Sequence, residues 1–191
     1  HTDREKLIAV GHALMKGIAL SLELPADYFA KMFHDPLILF RIFNYPPQDP
    51  KLPWGVGEHT DYGILTILKQ DDCGGLEVKS RSGWVAAPPI ADTFVCNIGD
   101  MLDRMTMGLY RSTPHRVRNV SGRNRLSFPF FFDPNFSALV TPVPLKQVIH
   151  AADDKNVRWD KASVHEFKGT YGDYLLGKVS KVFPGLSKDV L

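Results

Sequence analysis

Apolar positions along this chain follow a helical period near its two ends and a strand-like grammar between them. Over residues 4–23, Leu7, Ile8, Leu14, Met15, Ile18 and Leu22 recur at helical spacing, which predicts an amphipathic helix. The run LPADYFAKMF predicts a second helix: Pro25 suits a first turn, Asp27 a cap or first-turn acid, and Pro36 closes the segment. From residue 37 the text becomes β-branched and aromatic. Strands are predicted at 37–45, 64–69, 75–80, 83–87, 93–98, 115–120, 125–132 and 137–142, parted by turn signals such as PPQDP, DDCGG, SRSG and DPN. Pro129 falls inside one of these runs and predicts an edge position or a bulge there. Helical spacing returns at 100–110 and at 163–180.

Many short strands with turns between them argue for a sandwich or barrel over a parallel α/β sheet. The expected architecture is mainly β with flanking helices, built on a jelly-roll (double-stranded β-helix) core. The expected organisation is a helical segment over 1–35 packing on the core, the jelly roll over 36–145 and a helical segment over 146–191. A chain of 191 residues with 44% apolar residues can bury a sizeable core. A net charge of +2 gives no reason to expect nucleic acid or an acidic membrane as partner, and no apolar run reaches the length of a membrane span. The partner expected is a small-molecule substrate. Two cysteines read as reduced thiols of a cytoplasmic protein.

The tripeptide His-Thr-Asp occurs at residues 1–3 and again at 59–61. With seven histidines, a His-x-Asp pair arises by chance about 0.6 times in a chain of ordinary composition, so the pattern alone says little. The first copy sits at a terminus and leads into a helix, which argues against a native metal site. The second opens an apolar run. In extended backbone, residues i and i+2 point to the same side, so His59 and Asp61 converge. His115, which opens a later strand, supplies a third donor. Two imidazoles and a carboxylate make the facial triad of non-haem Fe(II) oxygenases and leave coordination positions open. Ten residues on, Arg125 and Ser127 form another i, i+2 pair. A guanidinium fork and a hydroxyl suit a carboxylate, so the set fits a dicarboxylate that chelates the metal at one end and is clamped at the other. Phe131 shares that strand face and is a candidate wall for a small, partly apolar substrate.

In this order and spacing, FNYPP, GEHTDYGILTIL, GGLEV, GWVAAPP, NIGDMLDRMTMGLYRSTPHRV and RLSFPFFFDP resemble the 2-oxoglutarate/Fe(II)-dependent dioxygenases of the isopenicillin-N-synthase-like superfamily. The resemblance covers roughly residues 37–135. It implies His59, Asp61 and His115 as iron ligands, and Arg125, Ser127 and Tyr45 as contacts of 2-oxoglutarate. It also implies O2-dependent oxidation of a small organic substrate by hydroxylation, desaturation or ring closure, with release of succinate and CO2. Phe43 stands where the family often has asparagine, with Asn44 beside it. The family's usual N-terminal region has no counterpart here, so the chain is expected to be the core of a longer enzyme. Three rivals stay open on sequence: a same-fold Fe(II)/O2 oxidase that does not use 2-oxoglutarate, a zinc hydrolase, and a truncated, non-catalytic binding module.

Overall fold

The computed structural model describes residues 2–47, 49, 54–146, 158, 161, 163 and 165–182. Helix α1 (Asp3–Ser21) opens on a capping box. The Thr2 hydroxyl accepts from the Glu5 N–H, and the Glu5 carboxylate accepts from the Thr2 N–H. Asp3 pairs with Lys6 across one turn at 3.2 Å. These contacts give Thr2 and Asp3 of the amino-terminal His-Thr-Asp a helix-start role, while His1 lies outside the described residues.

Among the described residues nine strands follow: β1 (Leu37–Phe40), β2 (Phe43–Tyr45), β3 (Val56–His59), β4 (Leu65–Gln70), β5 (Leu76–Ser80), β6 (Gly83–Ala86), β7 (Val95–Ile98), β8 (His115–Val117) and β9 (Arg125–Asp133). Helix α2 (Asp100–Met105) lies between β7 and β8, and α3 (Tyr171–Val182) follows β9. All pairings are antiparallel. One sheet runs β1-β9-β4-β7, with β2 also on β9; the other runs β3-β8-β5-β6. The two sheets face each other across a cavity and form the jelly roll.

The larger sheet separates two environments. Leu65, Ile67, Phe130 and Phe132 point outward into a core with Met15, Ala19, Phe29, Phe33 and Met101. Alternate residues, Thr66, Leu68, Ser127, Pro129 and Phe131, line the cavity between the sheets. Among the described residues no helix is long and apolar enough to cross a membrane.

Several expectations need correction. The predicted helix at 24–33 is a turn followed by one 3-10 segment (Ala30–Phe33). Phe29 and Phe33 are both buried, and Asn135 bonds Lys31, Met32 and Asp35, so tertiary contacts override helical propensity. The helix predicted at 100–110 stops at Met105, because Met107 and Gly108 both adopt positive φ. The predicted strand 137–142 supplies only an isolated bridge, Leu139 to Thr170. The C-terminal helix begins at Tyr171, later than the predicted 163.

Pro129 is neither at an edge nor in a bulge. It lies in β9, the strand flanked on both sides, in a register that runs unbroken from Leu37↔Asp133 to Tyr45↔Arg125. In an antiparallel pair a residue's N–H and C=O face the same neighbour. The Pro129 carbonyl accepts from Arg41 N at 3.1 Å, so its missing N–H falls opposite Arg41. That single absent bond divides the predicted 37–45 strand into β1 and β2 and leaves the β4 side intact.

Helix α1 sits close to the sheet at Gly11, where an added Cβ would lie 2.8 Å from the Phe132 ring. That ring is stacked on Phe33 and meets His12 edge-on, so it has little room to retreat. Gly11→Ala is expected to destabilise by about 1–3 kcal/mol through overpacking, less the helix-propensity gain of up to ~1 kcal/mol. Gly17, on the exposed side of the same helix, has nothing within 4 Å of its added Cβ. Gly17→Ala is expected to stabilise by about 0.5–1 kcal/mol. Urea unfolding of the two variants should therefore shift in opposite directions.

Candidate metal and dicarboxylate site

His59 ends β3 and His115 opens β8, and the two strands pair at these residues. Their rings lie 4.2 Å apart, centroid to centroid. Each Nδ1 donates to a backbone carbonyl two residues earlier, His59 to Gly57 at 2.9 Å and His115 to Thr113 at 3.0 Å. This arrangement fixes the same tautomer in both and leaves both Nε2 atoms as lone-pair donors. Burial, and then the neighbouring His115, hold the His59 imidazole below its ordinary pKa, which favours the neutral form that a metal needs.

Asp61 follows β3 by two residues. Its Oδ2 accepts from Thr66 Oγ1 at 2.5 Å and from Asn97 Nδ2 at 2.8 Å. Oδ1 is left facing His115 Nε2 at 3.7 Å. Thr66 and Asn97 are cross-strand partners on β4 and β7, so one rung of the sheet orients the carboxylate. The backbone is pinned from the other side. Around the start of α2, Gly99 N–H donates to Ile64 C=O, Asp100 N–H to Asp61 C=O and Met101 N–H to Gly63 C=O. One ligand atom from each of His59, Asp61 and His115 lies within 4.8 Å of the other two. Two imidazole nitrogens and an oriented carboxylate oxygen fit a divalent first-row metal.

Arg125 begins β9 and is fully buried. Its Nε donates to Gly74 C=O at 2.5 Å and its Nη2 to Gln70 Oε1 at 2.9 Å. Gly74 reaches this position in the left-handed backbone of the DDCGG turn, φ 73°. Gln70 is itself oriented by donating to Ala87 C=O. The third nitrogen, Nη1, is buried without a partner among the described residues. Among the described residues no carboxylate bonds this guanidinium, and a ligand carboxylate supplies both counter-charge and acceptor. The residues present thus fit 2-oxoglutarate as well as the metal.

Tyr45 is the cross-strand partner of Arg125, with its ring centroid 5.2 Å from the guanidinium carbon. Ser127 is buried and lines the same cavity, and Phe131 lines it two residues beyond Pro129. Every candidate residue read from the sequence therefore borders one cavity of about 370 Å³ with mostly apolar walls. Sequence reasoning missed Thr66, Asn97 and Gln70, the groups that orient Asp61 and Arg125. The available signal was a polar residue at an inward position of an otherwise apolar strand. It also missed Leu175 and Val179 of α3, which border the cavity from the far end of the chain.

Asp133, the last residue of β9, accepts from Ile64 N–H at 2.9 Å and from the Tyr171 hydroxyl at 2.6 Å. Burial pushes its carboxyl from the ordinary 3.8 up to about 7. A carboxyl raised on folding contributes stability that is complete below its unfolded value and is lost as pH rises through the folded one. Unfolding free energy should therefore fall between pH ~4 and ~7, by up to about 4 kcal/mol from this group. In Asp133→Asn the amide oxygen keeps the Ile64 bond and the amide nitrogen can donate to Tyr171. That variant should lose this share of the pH dependence, which urea titrations at pH 5 and pH 8 would read.

Residues 34–134 match the family described as the 2OG-Fe(II) oxygenase superfamily. A probable iron/ascorbate oxidoreductase of Dictyostelium discoideum is 57% identical, over 98% of this chain and 56% of that protein. A 1-aminocyclopropane-1-carboxylate oxidase of Dictyostelium mucoroides is 43% identical, over 96% of this chain and 59% of that protein. The crystal structure of a full-length Neurospora crassa protein in complex with alpha-KG and 5-formyluracil superposes with a TM-score of 0.77 at 28% identity, over 93% of this chain and 57% of that one. The chain spans somewhat more than half the length of these relatives. The matched segment takes in every strand among the described residues and both sides of the candidate site, and on that ground the chain belongs to the 2OG-Fe(II) oxygenase superfamily.

Proposed function

We propose that this chain carries the catalytic core of a non-haem Fe(II)- and 2-oxoglutarate-dependent oxygenase acting on a small organic substrate. His59, Asp61 and His115 would hold the iron. Arg125 would take the distal carboxylate of 2-oxoglutarate, with Ser127 adding a hydrogen bond and Tyr45 packing against it. Bound iron and 2-oxoglutarate supply the oxidising power; in the hydroxylating case R–H + 2-oxoglutarate + O2 gives R–OH + succinate + CO2. The chain's own residues orient, neutralise and exclude water. Thr66 and Asn97 aim one carboxylate oxygen, the Gly57 and Thr113 carbonyls fix the imidazoles, and the mostly apolar walls limit the polar contacts open to water. Phe131 would form part of the wall against which the substrate lies.

The observation that carries this reading is the pairing of two incomplete coordination sets in one cavity. Three ligand atoms converge within 4.8 Å of one another, and a buried arginine nitrogen has no acceptor among the described residues. The relative crystallised with alpha-KG supports the same assignment by its likeness in fold. The test is calorimetric titration of 2-oxoglutarate into the metal-loaded chain, together with a succinate assay under Fe(II), O2 and ascorbate. Metal-dependent 2-oxoglutarate binding with slow succinate release is expected. Metal binding without 2-oxoglutarate binding would overturn the proposal, and metal-dependent O2 uptake under those conditions would identify the same-fold oxidase instead.

A further inference from the structure

The cavity holds a second guanidinium that neither the metal set nor the carboxylate clamp uses. Arg41 lines the cavity on the same sheet face as Leu39 and Phe43 and opposite Pro129 in the register. Its N–H on the Pro129 carbonyl anchors the backbone. The side chain is exposed, which places it at the cavity mouth, with its guanidinium carbon 5.9 Å from the Phe43 ring centroid. Among the described residues no carboxylate pairs with it. The two acids that border the cavity are committed elsewhere. Asp61 is held by Thr66 and Asn97, and Asp133 by Ile64 and Tyr171.

Distance separates the two arginines. Four positions along the strand divide Arg41 from Tyr45, the partner of Arg125, so their backbones stand about 13 Å apart. The carboxyl carbons of a five-carbon dicarboxylate are only about 5 Å apart. A 2-oxoglutarate gripped by Arg125 and directed at the metal therefore leaves Arg41 with no anion. The competing account is structural: β1 and β2 form the edge of their sheet, and an inward charge on an edge strand discourages edge-to-edge pairing.

Resting on the oxygenase reading above, we propose that Arg41 receives the carboxylate of the prime substrate, and that the substrate class is small organic acids with an apolar body. Leu39, Phe43 and Phe131 from the sheet and Leu175 and Val179 from α3 offer that body an apolar lining. The carboxylate is held at the mouth and the apolar end points inward, so oxidation falls on a carbon remote from the carboxyl group. Two arginines in one small cavity also disfavour cationic substrates by like-charge repulsion.

The test uses matched acids and amides: 3-phenylpropionate against 3-phenylpropionamide, and hexanoate against hexanamide. Each is titrated calorimetrically into the chain loaded with Mn(II) and saturating 2-oxoglutarate, without O2, so that Arg125 is already occupied. The acids should bind roughly 10–150-fold more tightly than their amides, the worth of one charge-assisted hydrogen bond. Arg41→Leu should erase the difference and Arg41→Lys should keep part of it, both with unchanged 2-oxoglutarate affinity and melting temperature. Equal affinity for acid and amide, no binding of either, or an acid preference that survives in Arg41→Leu would overturn the proposal. The 2-oxoglutarate titration is read first, before any acid is added. If it fails, the oxygenase reading fails with it; if it succeeds, a negative acid series refutes the role of Arg41 alone.

Discussion

Asp61→Ala is expected to abolish metal-dependent turnover and to lower metal affinity by more than about 100-fold, the upper end of what changes to merely supporting residues cost. The carboxylate is the only anionic member of the His59–Asp61–His115 set, and Oδ1 is its one uncommitted oxygen. Asp61→Asn separates chemistry from folding. Thr66 and Asn97 both donate toward Asp61, so the asparagine oxygen must turn to them, which leaves an amide N–H facing the metal position. That variant should fold with a near-native melting temperature and still fail to bind metal. Thr66→Val removes one orienting bond and should cost about 10–100-fold in metal affinity. Asp3→Ala and His1→Ala should leave metal affinity unchanged, because Thr2 and Asp3 serve the start of α1. Equal damage from the two His-Thr-Asp copies would refute the assignment. Metal titration followed by calorimetry decides all of these.

The parts of this site that were legible in the sequence are those set by the two-residue period of a strand. His59 with Asp61, and Arg125 with Ser127 and Phe131, could be placed on common faces because extended backbone leaves no other choice. What supports them was not legible, because it comes from across the sheet. Thr66 and Asn97 stand 31 positions apart in the chain yet form one rung, and Gln70 reaches Arg125 from 55 positions away. Nothing local in either strand announces its partner. The same gap explains the misplacement of Pro129. A proline shows that a donor is missing, but only the register shows that the vacancy faces Arg41. It also explains 24–33, where helical spacing was present but the burial of Phe29 and Phe33 against residues some 100 positions later decided the backbone. Local chemistry was readable where one strand carried it, and unreadable where tertiary pairing did.

Arg125→Lys should weaken 2-oxoglutarate binding by roughly 10–150-fold while leaving metal affinity unchanged. Lysine keeps the charge but not the planar fork. In the native chain, two of the three guanidinium nitrogens are spent on Gly74 and Gln70, and the third is buried with no partner among the described residues. An ammonium in their place must choose between the protein acceptors and the ligand. Burial sharpens the effect, because a fully buried cation without its anion is costly and a dry site strengthens the hydrogen bond it does make. Near-ultraviolet circular dichroism and the metal titration serve as controls for folding. Unchanged 2-oxoglutarate affinity would show that the clamp lies elsewhere. Arg123, its near neighbour in sequence, is a poor substitute: it is exposed and paired with Asp72 at 2.8 Å. Arg41 is the one other arginine bordering the cavity among the described residues. If Arg125→Lys leaves 2-oxoglutarate affinity intact and Arg41→Leu removes it, the two guanidinium groups exchange roles, and the acid-binding proposal for Arg41 falls in the same experiment.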